Sequence, residues 1–372
     1  MRLLVISFAP FVQKENHFYA YSPYIKEMAI WAKHVDEIAF VCPVTTKDRG
    51  LLISEVTFPV SKIFIAKAFN VKTFWNIILA FVYSFWNFYQ LFRGMIWADH
   101  IHLRCPGNLG LMACVVQVFF PWKVKSAKYA GNWDPKSKQP IGYKLQQWLL
   151  SNTFLTKKMQ VLVYGEWEGV SKNIKPFFTA SYRESEKIDS SPHQLHERLE
   201  FIFVGTLSIG KRPLYAVQII HELVKKGVNA RFCLYGTGAE QSKLEKYITE
   251  YHLEEKIFLR GNYSHEEMKT VYQNAHFNIL PSRSEGWPKV VAESMFWGCL
   301  PIATAVSCVP TMIGNGDRGL LLTMNFNRDV DSIYEIIQDQ SRYDKKIEKG
   351  VEWSRKFTLD LFETEIGKLI TV

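Results

Sequence analysis

Short apolar runs alternate with longer amphipathic stretches along the first half of the chain. The runs that are typical of buried strands begin near residues 3, 37, 100, 125 and 159. Helices are predicted between such runs, for example at 21–33 and 109–120. Buried strands that alternate with helices indicate a parallel sheet covered on both faces. We therefore predict a doubly wound, Rossmann-like domain at residues 1–185.

The same alternation restarts after a polar and charged stretch that predicts an interdomain linker at 186–198. Predicted strands are the segments EFIFVGT, ARFCLYGTG, IFLRG, FNILPS and LPIATA. Predicted helices between them cover 213–226, 240–251, 264–275 and 290–297. Residues 199–350 are therefore predicted to form a second doubly wound domain. Ligands of such sheets bind at the carboxyl ends of the strands, so we expect the site in a cleft between the two domains.

One segment of the first half is long and apolar enough to raise the question of a membrane span. Residues 73–92 contain no charged side chain over twenty positions, a length that could cross a bilayer. Polar positions nevertheless recur near helical spacing, at Asn76, Tyr83, Ser84, Asn87 and Gln90. Such a polar stripe disfavours a lipid-facing span. We predict a helix that packs on the protein or grazes a membrane surface.

Composition narrows the class of protein. The chain has 372 residues, of which 48% are apolar and 22% charged, so it is long enough for two buried cores. Its formal net charge of +9 is carried by residues 1–198, since residues 199–372 are nearly neutral. Much of the excess lies in residues 121–158, where lysines and aromatic residues are interleaved. Such a stretch suits an anionic lipid surface or a nucleic acid, and the alternative is a solvated lysine-rich face.

The cysteines and the N-terminus indicate the compartment. Six cysteines, at positions 42, 105, 114, 233, 299 and 308, show neither a CxxC pair nor paired spacing with histidine. Neither a zinc site nor a disulfide framework is predicted. No small-residue cleavage signal follows the apolar N-terminus, so a buried first strand is expected there rather than a signal peptide. These features predict a cytoplasmic protein with reduced thiols and no metal.

Small or polar residues follow the predicted strands of the second half. They are Gly205-Thr206, Gly236-Thr237-Gly238, Gly261-Asn262 and Pro281-Ser282. A glycine after a strand lets the backbone approach a ligand, and the following helix N-terminus offers N–H groups to a phosphate. Lys211 and Arg212 follow the first of these loops, so the series predicts a phosphate-binding edge. For Lys211 taken alone, a solvated surface lysine is the alternative.

Two carboxylates lie eight positions apart in the segment RSEGWPKVVAES. Glu285 is predicted to lie in a loop, and Glu293 in the helix that follows it. Gly286 allows an unusual turn, and Pro288 suits the first position of that helix. Glu293 is placed to accept hydrogen bonds from sugar hydroxyls, as ribose-binding acids do in nucleotide sites. Glu285 could bind a second polyol.

These residues resemble the donor domain of retaining glycosyltransferases of family 4, which have the GT-B fold. The family's signature sets two acids around seven residues, ahead of a helix that ends in glycine and then proline. It is matched here by Glu285, Gly286, Glu293, Gly298 and Pro301. The resemblance covers about 201–322, and in the first half it is limited to the segment ADHIHLR. It implies an α/β fold with two doubly wound, Rossmann-like domains facing a central cleft, and a C-terminal helix at 351–372 that packs back toward the first domain.

By this resemblance a nucleoside diphosphate sugar binds the second domain. Lys211 contacts the diphosphate and Glu285 the sugar hydroxyls, which makes them the implied catalytic residues, and Glu293 contacts the ribose. The implied nucleotide-sugar contacts are Gly205, Thr206, Lys211, Arg212, Gly236, Gly238, Ser282, Glu285, Gly286, Lys289 and Glu293. The family uses no metal or cofactor, because lysine and the helix dipole neutralise the leaving diphosphate. Transfer in the family keeps the anomeric configuration.

Two positions of the second half depart from the family's pattern, and in the first half the segments APFVQKENHFY and YAGNWD replace the family's glycine-rich loop after the first strand and its histidine after the fourth. The family commonly has an arginine where this chain has Thr206, so one diphosphate contact is missing unless Arg212 supplies it. Pro288 cannot donate an N–H where many members have glycine, and Lys289 would compensate as a point charge. Polar candidates for the acceptor side, all in the first half, are Asn16, His17, Arg104, Asn132 and Asp134.

We expect an enzyme that transfers a hexose from a nucleotide sugar to a cell-envelope glycan or to a saccharide linked to a lipid diphosphate. The basic first half predicts peripheral contact with an anionic membrane at the cytoplasmic face, and no nucleic-acid partner is expected. Two alternatives stay open, a non-catalytic scaffold with the same fold and a dinucleotide-dependent oxidoreductase. The segment GTGAEQ argues against the oxidoreductase, because it lacks the third glycine of the dinucleotide motif.

Overall fold

The computed structural model describes residues 1–47, 52–69, 73–189, 192–196 and 198–370. Contacts within the chain divide it into two compact units. Unit 1 comprises Met1–Phe177 together with the chain from Phe362 onward, and unit 2 comprises Phe178–Leu361.

Unit 1 is built on a parallel sheet. Its strands are β1 (Arg2–Ile6), β2 (Phe11–Lys14), β3 (His17–Tyr21), β4 (Glu37–Cys42), β5 (Val44–Thr45), β6 (Ile53–Glu55), β7 (Lys62–Ile65), β8 (His100–Cys105), β9 (Val124–Tyr129), β10 (Met159–Tyr164) and β11 (Ile174–Phe177). Its helices are α1 (Ser22–Ala32), α2 (Phe74–Trp97), α3 (Asn108–Val116) and α4 (Ile141–Ser151), with a 3-10 turn at Gln117–Phe119. The main sheet has the order β11-β10-β9-β8-β1-β4-β7. The buried strands and the parallel pairing confirm the predicted α/β class for this half.

Helices cover both faces of the main sheet. On one face, α2, α3 and α4 enclose an apolar core with alternate residues of the strands, among them Ile101 and Leu103 of β8. His102 lies between these two residues in sequence and therefore points to the opposite face. There its ring packs 4.2 Å from that of Trp31 on α1, measured between centroids.

A second, smaller sheet was not predicted. Strands β2, β3, β5 and β6 form it in the order β5-β2-β3-β6, and β2 and β3 make an antiparallel hairpin. From the sequence, no strand was predicted between the first strand and the helix expected at 21–33. Phe11 and Val12 are buried within it, and Glu15 turns the chain with a φ of +52°. Burial of two apolar residues against unit 1 thus stabilises a hairpin whose tip is polar.

Two buried histidines in unit 1 share one hydroxyl. The Ser126 Oγ atom lies 2.8 Å from both His100 Nε2 and His102 Nδ1. Burial lowers the pKa of His100 to about 4 and that of His102 well below its usual value. Both rings are therefore neutral in the folded protein at neutral pH.

This pair makes the stability of unit 1 sensitive to mild acid. In the unfolded chain both histidines have a pKa of about 6.5, so the unfolded state binds protons first as the pH falls. The free energy of unfolding should therefore decrease between about pH 6.5 and pH 4. His102→Asn should flatten that slope by up to about 1.4 kcal/mol per pH unit, measured by urea unfolding over a pH series. Exposed His34→Asn is the control, and an equal slope in wild type and His102→Asn would contradict the assignment.

Unit 2 is a second parallel sheet between helices. Its strands are β12 (Leu199–Val204), β13 (Ala230–Tyr235), β14 (Ile257–Gly261), β15 (Phe277–Leu280), β16 (Leu300–Thr304) and β17 (Leu320–Leu322). Its helices are α5 (Pro213–Lys225), α6 (Gln241–Glu250), α7 (His265–Asn274), α8 (Lys289–Phe296), α9 (Val309–Ile313), α10 (Phe326–Ile337) and α11 (Gln340–Ser354), with 3-10 turns at Glu184–Glu186 and Gly314–Gly316. The sheet order is β14-β13-β12-β15-β16-β17.

The two ends of unit 2 differ from the predicted boundaries. Described residues of the expected linker make hydrogen bonds inside the unit, since His193 Nε2 lies 2.8 Å from the Gln273 carbonyl oxygen. Residues 190, 191 and 197 of that stretch lie outside the described residues. The predicted helix at 351–372 is interrupted, because α11 ends at Ser354 and α12 (Leu359–Ile370) begins beyond it. Thr358 Oγ1 accepts a hydrogen bond from the Leu361 backbone at this new start.

Candidate active site

The strand order of unit 2 places two loops side by side. In that order β12 and β15 are neighbours. The next strand after β12 in the chain, β13, lies on the far side of β12, and the next strand after β15, β16, lies on the far side of β15. Such a switch point opens a crevice at the carboxyl ends of the two strands, where α/β sheets bind ligands. The loop after β12 and the loop after β15 are joined there, since the Arg283 N–H donates to the Gly210 carbonyl at 2.8 Å.

The two predicted catalytic residues meet at this point. Lys211 Nζ lies 2.5 Å from Glu285 Oε1, although the residues are far apart in sequence. The Lys211 side chain is 29% exposed and that of Glu285 is 9% exposed, so the lysine is the more accessible partner. A charge-assisted bond of this length holds both groups in fixed positions.

More positive charge surrounds this ion pair than the sequence interpretation assigned. Arg212 adopts a left-handed backbone with a φ of +51° and precedes the first residue of α5. Its pKa is lowered by partial burial and by the nearby charge of Arg283. Arg283 was not predicted as a site residue, although its position two residues before Glu285 in the same loop could have indicated it. Three cations therefore accompany one carboxylate, which favours an anionic ligand.

The segment after Glu285 is held from two sides. The Gly286 carbonyl oxygen accepts hydrogen bonds from Ser307 Oγ at 3.2 Å and Cys308 Sγ at 3.0 Å. The Trp287 ring stacks on that of Trp353, with centroids 6.2 Å apart. These contacts fix the turn that carries Glu285 into the site.

Helix α8 begins one residue before the predicted range of 290–297. Pro288 is its N-cap residue rather than its first helical residue, and Lys289 begins the helix. Pro288 has no side-chain group that could cap this end of α8. The uncapped N-terminus carries a partial positive charge next to the loop of Glu285, which adds to the attraction for an anion.

The second predicted acid, Glu293, accepts hydrogen bonds from residues of unit 2. Glu293 Oε1 accepts a hydrogen bond from Ser181 Oγ at 2.5 Å, and Oε2 accepts one from Tyr272 OH at 3.0 Å. Neither partner was predicted, because both lie distant in sequence and carry no local motif. Each carboxylate oxygen can accept a further bond, so Glu293 keeps acceptor capacity in a fixed orientation.

The glycines of the predicted phosphate-binding edge have two different roles. A Cβ built on Gly205 would have only the Phe203 ring near it, at 4.0 Å, so space above this residue is open. A Cβ on Gly236 would lie 2.0 Å from the Gly205 carbonyl oxygen, and one on Gly238 would lie 2.4 Å from that of Leu207. Close packing of two loops explains Gly236 and Gly238, whereas Gly205 leaves room for a ligand.

The remaining predicted contacts differ in accessibility. Thr206 is exposed beside Gly205. Ser282 is only 1% exposed, and its hydroxyl makes no hydrogen bond with the described protein atoms. The structure thus presents Thr206 to a ligand but not Ser282. Among the described residues, no group of three or more His, Cys, Asp or Glu side chains is arranged to hold a metal ion.

Most polar candidates of unit 1 make ion pairs or hydrogen bonds with neighbouring residues. Arg104 lies 2.6 Å from Glu27 on α1, and Lys128 lies 3.0 Å from the same carboxylate. Burial alone would raise the pKa of Glu27, but these two cations outweigh it and hold the pKa well below its usual range. His17 Nδ1 lies 2.6 Å from Glu55. Asn132 and Asp134 make a local turn, and the fifth candidate, Asn16, is exposed in the turn between β2 and β3.

Comparisons with known proteins agree with this arrangement. Residues 184–353 match the profile of a family described as Glycosyl transferases group 1. A glycosyltransferase of Methanocaldococcus jannaschii is 30% identical over 158 residues, which are 42% of this chain and 43% of that protein. A Salmonella typhimurium protein, whose name places it in colanic acid biosynthesis as the glycosyltransferase WcaL, is 28% identical over 152 residues, 39% of this chain and 37% of that one.

Among solved structures, that of Anabaena HepE in complex with UDP and glucose superimposes with a TM-score of 0.68. The alignment covers 100% of this chain and 99% of HepE at 12% sequence identity, which establishes the fold. Residues 184–353 of unit 2 are therefore similar to the glycosyl transferases group 1 family, and the two Rossmann-like units give the chain the GT-B fold. The sequence matches span less than half of the length of either relative.

Proposed function

We propose that this protein is a retaining glycosyltransferase of family 4 that transfers a hexose from a nucleoside diphosphate sugar to a saccharide acceptor. The observation that carries the proposal is the contact of Lys211 with Glu285 at the switch point of unit 2, beside an open loop at Gly205. A cation and a carboxylate fixed next to an uncapped helix N-terminus suit a ligand that has both a diphosphate and a polyol.

In this proposal Lys211 and Arg212 neutralise the charge that develops on the leaving diphosphate, and Arg212 takes the place of the missing arginine at Thr206. The N-terminus of α8 at Lys289 adds its dipole. Fixed cations that face developing negative charge lower the barrier without a metal or a cofactor. Glu285 binds the sugar hydroxyls and orients the anomeric carbon, and transfer retains its configuration.

Glu293 binds the ribose through the acceptor sites that Ser181 and Tyr272 leave open. The two hydroxyl donors hold the carboxylate plane in one orientation before the nucleotide arrives. Preorganisation of this kind reduces the entropy lost on binding. Ser181 and Tyr272 are positioning residues in this scheme.

Removing one donor to Glu293 should weaken nucleotide binding moderately. Tyr272→Phe deletes a hydrogen bond to a carboxylate, so we expect the Kd for the nucleoside diphosphate to rise by about threefold to tenfold. Titration calorimetry measures this change. Tyr343→Phe is the matched control, because the buried Tyr343 hydroxyl donates to the His276 carbonyl oxygen instead. Equal affinity in Tyr272→Phe and wild type would show that Glu293 does not contact the nucleotide.

The acceptor that we propose is a cell-envelope glycan or a saccharide linked to a lipid diphosphate. The protein would then work as a cytoplasmic enzyme bound peripherally to the inner face of the cell membrane, with no nucleic acid as partner. Two facts support this part. Unit 1 carries the excess positive charge of the chain, and a relative is named for the biosynthesis of colanic acid.

Titration calorimetry against a panel of nucleoside mono- and diphosphates tests the donor site. We expect one diphosphate to bind and Lys211→Ala to lose that binding with the fold intact by circular dichroism. A folded wild-type protein that binds none of the nucleotides would refute the proposal.

A further inference from the structure

The polar stripe of helix α2 faces the protein together with Leu91 and Met95, while many of its other apolar residues face solvent. Asn87 is fully buried, and its side chain bonds both the backbone N–H of Lys67, at 2.8 Å, and its carbonyl oxygen, at 3.0 Å. Gln90 is 5% exposed. By contrast, Phe81 and Phe85 are 67% and 66% exposed. The polar stripe that the sequence predicted therefore exists, but it faces inward.

Exposed apolar side chains continue from α2 across its neighbours. Helices α2, α3 and α4 pack side by side on one face of the main sheet. The large apolar residues exposed on these helices and on the turns next to them are Trp75, Ile77, Ile78, Leu79, Phe81, Val82, Phe85, Trp86, Tyr89, Ile96, Val115, Phe119, Trp122, Ile141, Leu145, Trp148 and Phe154. We call this set the aromatic surface. Water-exposed apolar surface on this scale marks a binding surface.

Positive charge accompanies the aromatic surface. Exposed lysines on or next to α4 are Lys136, Lys138, Lys144, Lys157 and Lys158. Residues 73–98 contain no acid, and 121–158 contain one, Asp134, whose carboxylate accepts the Lys136 N–H. Lysines beside exposed aromatic rings are complementary to a surface whose outer layer is anionic and whose interior is apolar.

We propose that the aromatic surface binds an anionic phospholipid bilayer, with α2 lying in the plane of the headgroups. Within the described part of the chain, no helix is both long enough and apolar enough to cross a membrane, so α2 lies on the bilayer rather than through it. Trp, Tyr and Phe side chains enter the headgroup region, while the lysines contact lipid phosphates. The aromatic surface would supply the membrane contact of the proposed function, on which this inference rests. Its binding to lipid does not depend on the chemistry of sugar transfer.

Sedimentation with vesicles tests this surface in the full chain. The vesicles consist of phosphatidylcholine alone or of phosphatidylcholine with phosphatidylglycerol. The wild type should bind the anionic vesicles, with affinity that falls as salt rises. The double variant Phe81→Ser, Phe85→Ser should bind at least about tenfold more weakly. Leu52→Ser is the matched control, since Leu52 is 68% exposed and lies beside α1 instead.

Each outcome decides the inference. Loss of vesicle binding in the double variant, with Leu52→Ser unchanged, supports it. Equal binding by the two variants, or no binding by the wild type, overturns it. A wild-type dimer that the double variant converts to a monomer, measured by light scattering, would instead assign the surface to a second copy. Nucleotide binding is measured on the same samples, so failure of the membrane inference is distinguished from failure of the donor site.

Discussion

Glu285→Gln is expected to lower kcat for sugar transfer by about 10²–10³-fold while the protein stays folded. Glutamine keeps the size of the side chain but removes its negative charge. The bond to Lys211, 2.5 Å in the wild type, loses its ionic character, and the sugar hydroxyls lose their carboxylate acceptor. Steady-state release of nucleoside diphosphate measures the effect, and thermal unfolding checks that the fold is unchanged.

Glu200→Gln is the matched control for this variant. Glu200 is also a partly buried glutamate of unit 2 with a cationic partner, since its Oε1 accepts a hydrogen bond from Arg198 Nε at 2.9 Å. It lies near the amino end of β12, away from the edge where Lys211 and Glu285 meet. Its kcat should match that of the wild type. Full activity in Glu285→Gln would remove Glu285 from the mechanism.

Gly236→Ala is expected to reduce the free energy of unfolding of unit 2 by about 4 kcal/mol or more. The new Cβ would lie 2.0 Å from the Gly205 carbonyl oxygen, which is backbone and cannot rotate away. The φ of +141° at Gly236 is also costly for any residue with a side chain. Urea unfolding followed by fluorescence measures the change, and a loss of soluble protein would be the extreme form of the same result.

Gly210→Ala serves as the control, because its Cβ would meet nothing closer than Ser208 Oγ at 3.9 Å. The change in unfolding free energy there should stay within about 1 kcal/mol. If Gly236→Ala were as stable as Gly210→Ala, the loops at Gly205 and Gly236 would not pack as closely as the structure indicates.

Most of the fold could be predicted because buried parallel strands leave a simple pattern. Strands such as β1 and β12 are nearly continuous apolar runs, and helices fill the spaces between them. The hairpin at β2 and β3 was missed because it buries few apolar residues between polar ones. Its stability comes from tertiary burial of Phe11, which no local pattern records.

Part of the candidate site could be predicted because its residues follow strands of one sheet. Glu285 lies in the segment that carries the family's signature and Lys211 in the loop after β12, and the structure brings the two side chains into contact. The partners of Glu293 were not predictable, because Ser181 and Tyr272 approach it only through the fold.

Helix α2 shows a different limit of sequence interpretation. Its period identified a polar stripe at Asn87 and Gln90, but a periodic pattern does not say which stripe faces inward. The usual assumption places the apolar stripe inside. Here the side-chain amide of Asn87 bonds the backbone of Lys67, so the polar stripe is buried beside Leu91 and Met95, while apolar residues such as Phe81 and Phe85 are exposed.

The most direct test of the central claim is transfer itself. The purified chain is incubated with a panel of nucleoside diphosphate sugars and a membrane lipid extract, and the lipid fraction is analysed by mass spectrometry. We predict that one donor yields a lipid product heavier by one hexose, together with free nucleoside diphosphate, and that Glu285→Gln yields neither. A folded wild-type protein that turns over none of the donors and binds no nucleoside diphosphate would contradict the account.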